Sequence, residues 1–159
     1  MRRSTLAVVT AALGVSLVLG GLAFEAPPAG AQQGLLQTLT QLVSGLLGAT
    51  LRSGPWTVVI PAGAFNGTTR VSMHSVPVRA LAVSLDLADP TLNHFNKPVL
   101  LTWHSANPAG ALNKTIYWWS PQDMRWEEVP GTTANPVTGD VTAPLEHFSI
   151  YAVGGKAGW

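Results

Sequence analysis

The chain contains no cysteine. That single absence excludes disulfide staples, a lipoprotein attachment cysteine and thiolate metal sites together, so stability has to come from packing. Charge is nearly as scarce: Asp, Glu, Lys and Arg make up 11% of the 159 residues, 9 basic against 8 acidic. Setting aside Arg2, Arg3 and Glu25 leaves 7 and 7, a formally neutral remainder. A nucleic-acid partner needs a basic face to neutralise phosphates, and neither the balance nor the spacing supplies one. No Gly-x-Ser-x-Gly, phosphate-binding glycine loop or paired-carboxylate motif occurs, which argues against hydrolysis or group transfer on an external substrate. His74, His94, His104 and His147, taken with Asp86 and Asp89, follow no metal-ligand spacing. Neither a metal nor another cofactor is expected. No fixed-period repeat stands out, which argues against a propeller or a solenoid.

What is present begins with an export signal. Arg2 and Arg3 precede an uncharged run over 4–24, followed by Glu25-Ala26-Pro27-Pro28 and Ala29-Gly30-Ala31. This is the order of a secretory signal peptide, basic then apolar then small, and it is assigned to 1–31 with the mature chain starting near Gln32. The expected location is secreted, extracellular or at the cell surface. An apolar run of about 20 residues is long enough to anchor an uncleaved leader, so contact with a membrane is expected only if the leader stays. The Ala-x-Ala step and the prolines before it favour cleavage. The residues around the paired arginines fit general secretion better than a twin-arginine route.

Over 32–54 the only charge is Arg52, and Leu35, Leu36, Leu39, Leu42, Val43, Leu46, Leu47 and Leu51 recur at spacings of three and four. That spacing predicts an amphipathic, leucine-rich helix with one apolar stripe. Arg52, Gly54 and Pro55 provide the stop. The opposite face, Gln37, Thr38, Gln41, Ser44, Gly45 and Gly48, is polar without being ionic. Two roles follow: the stripe folds back on the rest of the chain, or Leu35, Leu39, Leu42 and Leu46 dock on a partner. Interfacial membrane helices carry lysine or arginine on the polar face, and this one does not, so self-association is the better form of docking.

From Trp56 the period changes to two. Strands are expected over 56–60, 70–76, 81–87, 98–104, 115–119, 126–129, 140–143 and 148–153, within a domain spanning 55–155 and a tail at 156–159. Turn residues separate them at Pro61-Ala62-Gly63-Ala64, Asn66-Gly67, Asp89-Pro90, Asn107-Pro108-Ala109-Gly110, Pro121-Gln122-Asp123, Pro130-Gly131 and Thr138-Gly139-Asp140. Short strands broken this regularly predict an all-β fold, an antiparallel sandwich or barrel, and the β-sandwich is the form expected here.

Trp56-Thr57-Val58-Val59-Ile60-Pro61-Ala62-Gly63-Ala64-Phe65 resembles the opening of ZU-five-type β-sandwich domains, which occur in netrin receptors, ankyrins and secreted bacterial proteins. Lys97-Pro98-Val99-Leu100-Leu101 is similar to that family's "Pro-Val, apolar" strand. Trp126-Glu127-Glu128-Val129 with His147-Phe148-Ser149 resembles the closing strands of bacterial members. The resemblance implies a small sandwich used for interaction or scaffolding. Relatives that cleave themselves cut at a His-Phe-Ser step. By that resemblance Ser149 would be the nucleophile, the Phe148 carbonyl the electrophile and His147 the general base. The chemistry needs a base on the hydroxyl and a bent backbone at the scissile bond, which Pro144 and Glu146 would help to form. In an ordinary closing strand, by contrast, Phe148 and Ile150 would face the core with Ser149 and Tyr151 on the other side.

Six tryptophans raise a further reading. Trp103, Tyr117 and Trp119 on one open face would form a sugar-stacking platform, while Trp56, Trp118 and Trp126 fill the core. Asn66-Gly67-Thr68 and Asn113-Lys114-Thr115 fit the N-glycosylation triplet. The function expected is therefore a secreted or cell-surface interaction or structural module acting on no external substrate, with a protein partner or a second copy. The alternatives are a self-cleaving domain cut between Phe148 and Ser149, and a carbohydrate-binding module with a glycan ligand.

Overall fold

A computed structural model of the chain describes residues 38–76 and 81–156. The segment read as a signal peptide, Leu35, Leu36 and most of the tail lie outside these residues.

The described chain is an all-β sandwich of two antiparallel sheets. Its strands in order are β1 (Thr38–Ser44), β2 (Ala49–Ser53), β3 (Trp56–Ile60), β4 (Thr68–Val76), β5 (Ala82–Leu87), β6 (Val99–His104), β7 (Lys114–Ser120), β8 (Arg125–Glu128), β9 (Thr133–Ala134), β10 (Asp140–Leu145) and β11 (Ile150–Gly155). A six-stranded sheet runs β1-β4-β5-β11-β7-β8 and a five-stranded sheet β2-β3-β6-β10-β9. Alternation decides the faces. On β3 and β6, Trp56, Val58, Val99 and Leu101 are buried, and the register sets Trp56 beside Trp103 and Val58 beside Leu101. Opposite them Val71, Met73, Val83, Leu85, Ile116, Tyr151 and Val153 complete one continuous core.

The expected helix over 32–54 is not formed in its described part. Residues 38–53 are β1 and β2, the first strand of each sheet, so the sandwich starts by Thr38 and not at 55. A helix there would have held Gly45 and Gly48 in its interior at about 1 kcal/mol each, with no charge pairs to offset them. The β-branched Thr38, Thr40, Val43 and Thr50 favour strands instead. Both glycines serve the corner between the sheets. Gly48 adopts φ +75° and closes on the Ser44 carbonyl at 2.9 Å. Gly45 is wedged between two loops, donating to the Gly67 carbonyl at 2.9 Å and accepting from Gly63 at 2.7 Å. The leucine stripe is thereby divided. Val43 and Leu51 are buried and Leu39 packs on the core, whereas Leu42, Leu46 and Leu47 are 67%, 65% and 82% exposed.

Two other expectations about facing are corrected. Trp126 does not fill the core: it pairs in register with Trp119 on the outer face of the six-stranded sheet. At the last strand Phe148 and Tyr151 are both buried while Ile150 is exposed. The strict alternation fails because 146–149 is not strand but the passage from β10 in one sheet to β11 in the other.

Candidate functional site

That passage carries the His-Phe-Ser step. β10 leaves its sheet after Leu145, opposite Val99, and β11 enters the other at Ile150, opposite Ser84. Phe148 plugs the space between, edge-on to Phe95 at 4.9 Å, with Phe65 a further 6.3 Å from Phe95. Asn93, just past the 3-10 turn Pro90–Leu92, clamps Phe148 from both sides. Its Oδ1 accepts the Phe148 N–H at 2.6 Å and its Nδ2 donates to the Phe148 carbonyl at 3.0 Å. The neighbouring carbonyls are likewise occupied. Glu146 accepts from the Phe95 N–H at 3.1 Å, His147 from the Tyr151 hydroxyl at 2.5 Å, and Ser149 from the Leu85 N–H at 2.9 Å. Burial pushes the Tyr151 phenol well above its ordinary range, so it is a firm donor to that carbonyl.

The proposed reacting groups face other partners. Ser149 Oγ donates to the Trp119 carbonyl at 3.5 Å, at the limit of a hydrogen bond. His147 Nδ1 lies 3.3 Å from the Phe148 carbonyl oxygen, and its ring stands edge-on to Trp118 at 5.1 Å. The imidazole therefore sits on the electrophile. Neither Phe148 nor Ser149 has a left-handed backbone: among the described non-glycine residues only Met124 does. The arrangement can polarise the Phe148 carbonyl through two donors, as an oxyanion site does. It does not hold a base on the nucleophile. Beside it opens a cavity of about 300 Å³, walled by Trp118, Pro98, Pro130 and Pro144, with Glu146 and His147 among its polar side chains.

The aromatic platform is not assembled. Trp103 points from the five-stranded sheet onto the core, beside Trp56. Tyr117 and Trp119 alternate with Ile116 and Trp118 on β7 and so take the outer face of the other sheet. Trp119 meets Trp126 there at 5.5 Å, and the Tyr117 hydroxyl donates to the Gly155 carbonyl at 2.6 Å. The histidines are dispersed too: His74 bonds Thr38 Oγ1 at 3.0 Å, Asp86 accepts from Ser84, and Asp89 caps the 3-10 turn. Among the described residues no three metal-ligating side chains converge.

Sequence reasoning missed one constellation. On the outer face of the five-stranded sheet His104 Nδ1 meets Asp140 Oδ1 at 2.7 Å, and Nε2 meets Thr57 Oγ1 at 2.8 Å. The signal was available in principle, since His104 and Asp140 are register partners across β6 and β10, but register is not readable from one strand at a time. Carboxylate, imidazole and hydroxyl stand in the order of a nucleophile relay. Thr57, however, is buried inside a strand paired on both sides, and its hydroxyl is engaged with the ring. The chain acts as a strap across three strands. Its hydrogen bond from His104 holds the Asp140 carboxyl below its ordinary value, with Thr138 and the charge of His104 adding to this and burial opposing it. A carboxylate depressed in this way stabilises the fold above its unfolded pKa of about 3.9, and that contribution is lost as pH falls through the folded value. In a His104→Asn variant the Asp140 carboxyl should titrate at higher pH, as read by carbon NMR. Identical midpoints in the two proteins would dismiss the strap.

No protein-family model matches the chain, and no curated protein is significantly similar to it. The ZU-five resemblance rests on the motifs themselves.

Proposed function

We propose that this is an exported β-sandwich that works by binding, an interaction or structural module of the cell surface or its surroundings. The observation that carries the reading is the end of β1 and the corner that follows it, where Leu42, Leu46 and Leu47 are each exposed to solvent. Single exposed leucines are ordinary, but three within six residues on a chain so poor in charge mark a contact surface. The passage over 146–149 supports the same reading from the other side, because a segment with every carbonyl engaged is suited to joining sheets. A second reading, self-cleavage between Phe148 and Ser149, is favoured by the two donors on the Phe148 carbonyl.

Intact mass under denaturing conditions separates them. The protein, expressed with its leader and recovered from the medium, should have the mass of a chain starting near Gln32 and still containing 149–159, and Ser149→Ala should differ only by the substitution. Release of a peptide beginning at Ser149 from the unaltered chain alone would overturn the binding reading and make His147, Phe148 and Ser149 a catalytic unit. A mass that retains Met1 would return the leader to the membrane.

A further inference from the structure

A β-sheet edge offers a row of unpaired N–H and C=O groups, and proteins blunt such edges with charge, proline, shortness or cover. Among the described strands there are four edges: β1 and β8 in the six-stranded sheet, β2 and β9 in the other. Three are blunted. β8 is four residues long, and three of them are Arg125, Glu127 and Glu128. β9 has two residues and is followed by Asn135-Pro136. β2 has five and carries Arg52. Among the described residues β1 has none of these devices. Its seven residues, Thr-Leu-Thr-Gln-Leu-Val-Ser, include no charge, proline or glycine. They pair with β4 in unbroken register from Thr38 opposite His74 to Ser44 opposite Thr68, so the free side is a regular template with no bulge. Thr38, Thr40, Gln41 and Leu42 on it are exposed.

We infer that β1 is a self-association strand: two copies pair β1 to β1, antiparallel, and join their six-stranded sheets into one. A two-fold interface must be self-complementary, each residue i meeting j as j meets i. The sequence of β1 meets that condition about Gln41. Gln41 then faces Gln41 of the second copy, and an amide both donates and accepts. Thr40 faces Leu42, Leu39 faces Val43, and Thr38 faces Ser44, with no like charges opposed anywhere. The same pairing brings the two exposed Leu42 side chains to the seam, next to the corners that hold Leu46 and Leu47. This inference rests on the binding reading and names its partner as a second copy of the chain.

The test uses the secreted protein in sedimentation equilibrium, with Thr40→Lys/Leu42→Lys as the disrupting variant. Both positions are exposed in the single chain, so the fold tolerates the change, and the paired state would oppose lysine to lysine twice. Wild type should show a concentration-dependent monomer–dimer equilibrium, weakened roughly tenfold or more in the variant. Since the chain has no cysteine, Gln41→Cys supplies an independent readout. Directly opposed strand residues lie about 4.5–5.5 Å apart at Cα, within disulfide reach, so this variant should oxidise to a covalent dimer while Val137→Cys, also exposed, does not. A wild type that is monomeric throughout, a dimer unmoved by the lysines, or Gln41→Cys no faster to cross-link than Val137→Cys would each overturn the inference. An intact but monomeric protein fails this inference alone. A protein that cleaves itself yet dimerises fails the binding reading alone.

Discussion

Gly45→Ala is expected to be among the most damaging single substitutions in the chain, although it adds one methyl group. A Cβ at this position would stand 2.1 Å from the Phe65 carbonyl oxygen and 2.4 Å from the Phe65 ring. The first neighbour is backbone, in a loop tied to Gly45 by hydrogen bonds on either side, so it has nowhere to yield. The cost is expected near the top of the over-packing range, about 3 kcal/mol or more. Against a total stability of roughly 5–15 kcal/mol, that removes a large share. Chemical denaturation compared with Gly110→Ala checks it, because a Cβ at Gly110 meets nothing closer than 3.7 Å. Equal midpoints for the two variants would mean that the corner is not built as described.

Trp56→Ala should cost a comparable amount, about 3–5 kcal/mol, by leaving a cavity on the inner face of the five-stranded sheet. Trp56 is the largest fully buried side chain and sits in register with Trp103. The indole N–H groups of both are buried with no acceptor among the described residues. An unpaired buried donor itself carries a penalty of about 1–3 kcal/mol. Trp56→Phe, which loses ring volume but also loses that donor, should therefore be far milder than its change in size suggests. Urea unfolding followed by circular dichroism, with slopes compared to confirm unchanged cooperativity, gives both values. A Trp56→Phe protein as unstable as Trp56→Ala would show that the indole N–H carries no penalty.

The strands from β3 onward were legible because their side chains alternate and because Pro, Gly and Asn fall where the chain must reverse. Residues 38–53 were misread for a specific reason. Leu39, Leu42, Val43, Leu46, Leu47 and Leu51 satisfy a helical spacing of three and four, yet Leu39 and Val43 are also an i, i+4 pair on one face of a strand. With a corner falling between Ser44 and Ala49, the two periods cannot be told apart by leucines alone. Gly45, Gly48 and the β-branched threonines were the better guide. The candidate site was legible as a motif and not as an arrangement. His147, Phe148 and Ser149 are adjacent in sequence, but what surrounds them comes from Asn93, Leu85, Trp119 and Tyr151, and no local pattern announces those contacts. The same holds for Thr57, His104 and Asp140, whose meeting depends on how β3, β6 and β10 align. Trp103 and Trp119 were grouped as aromatics although the fold places them in different sheets.

The position of β11 has a consequence for how such a chain comes to be folded at all. It follows every other described strand in sequence, yet it lies in the middle of the six-stranded sheet, between β5 and β7. Until it arrives, that sheet exists as two unconnected pieces, β1-β4-β5 and β7-β8, each with a raw inner edge. Synthesis from the N-terminus therefore cannot finish the sheet progressively, and closure waits for β11 to be released. On the proposed export reading, in which the chain is threaded through a membrane in extended form, this delay would be useful: the core could not seal on the side of synthesis, and would lock only once β11 had emerged on the other.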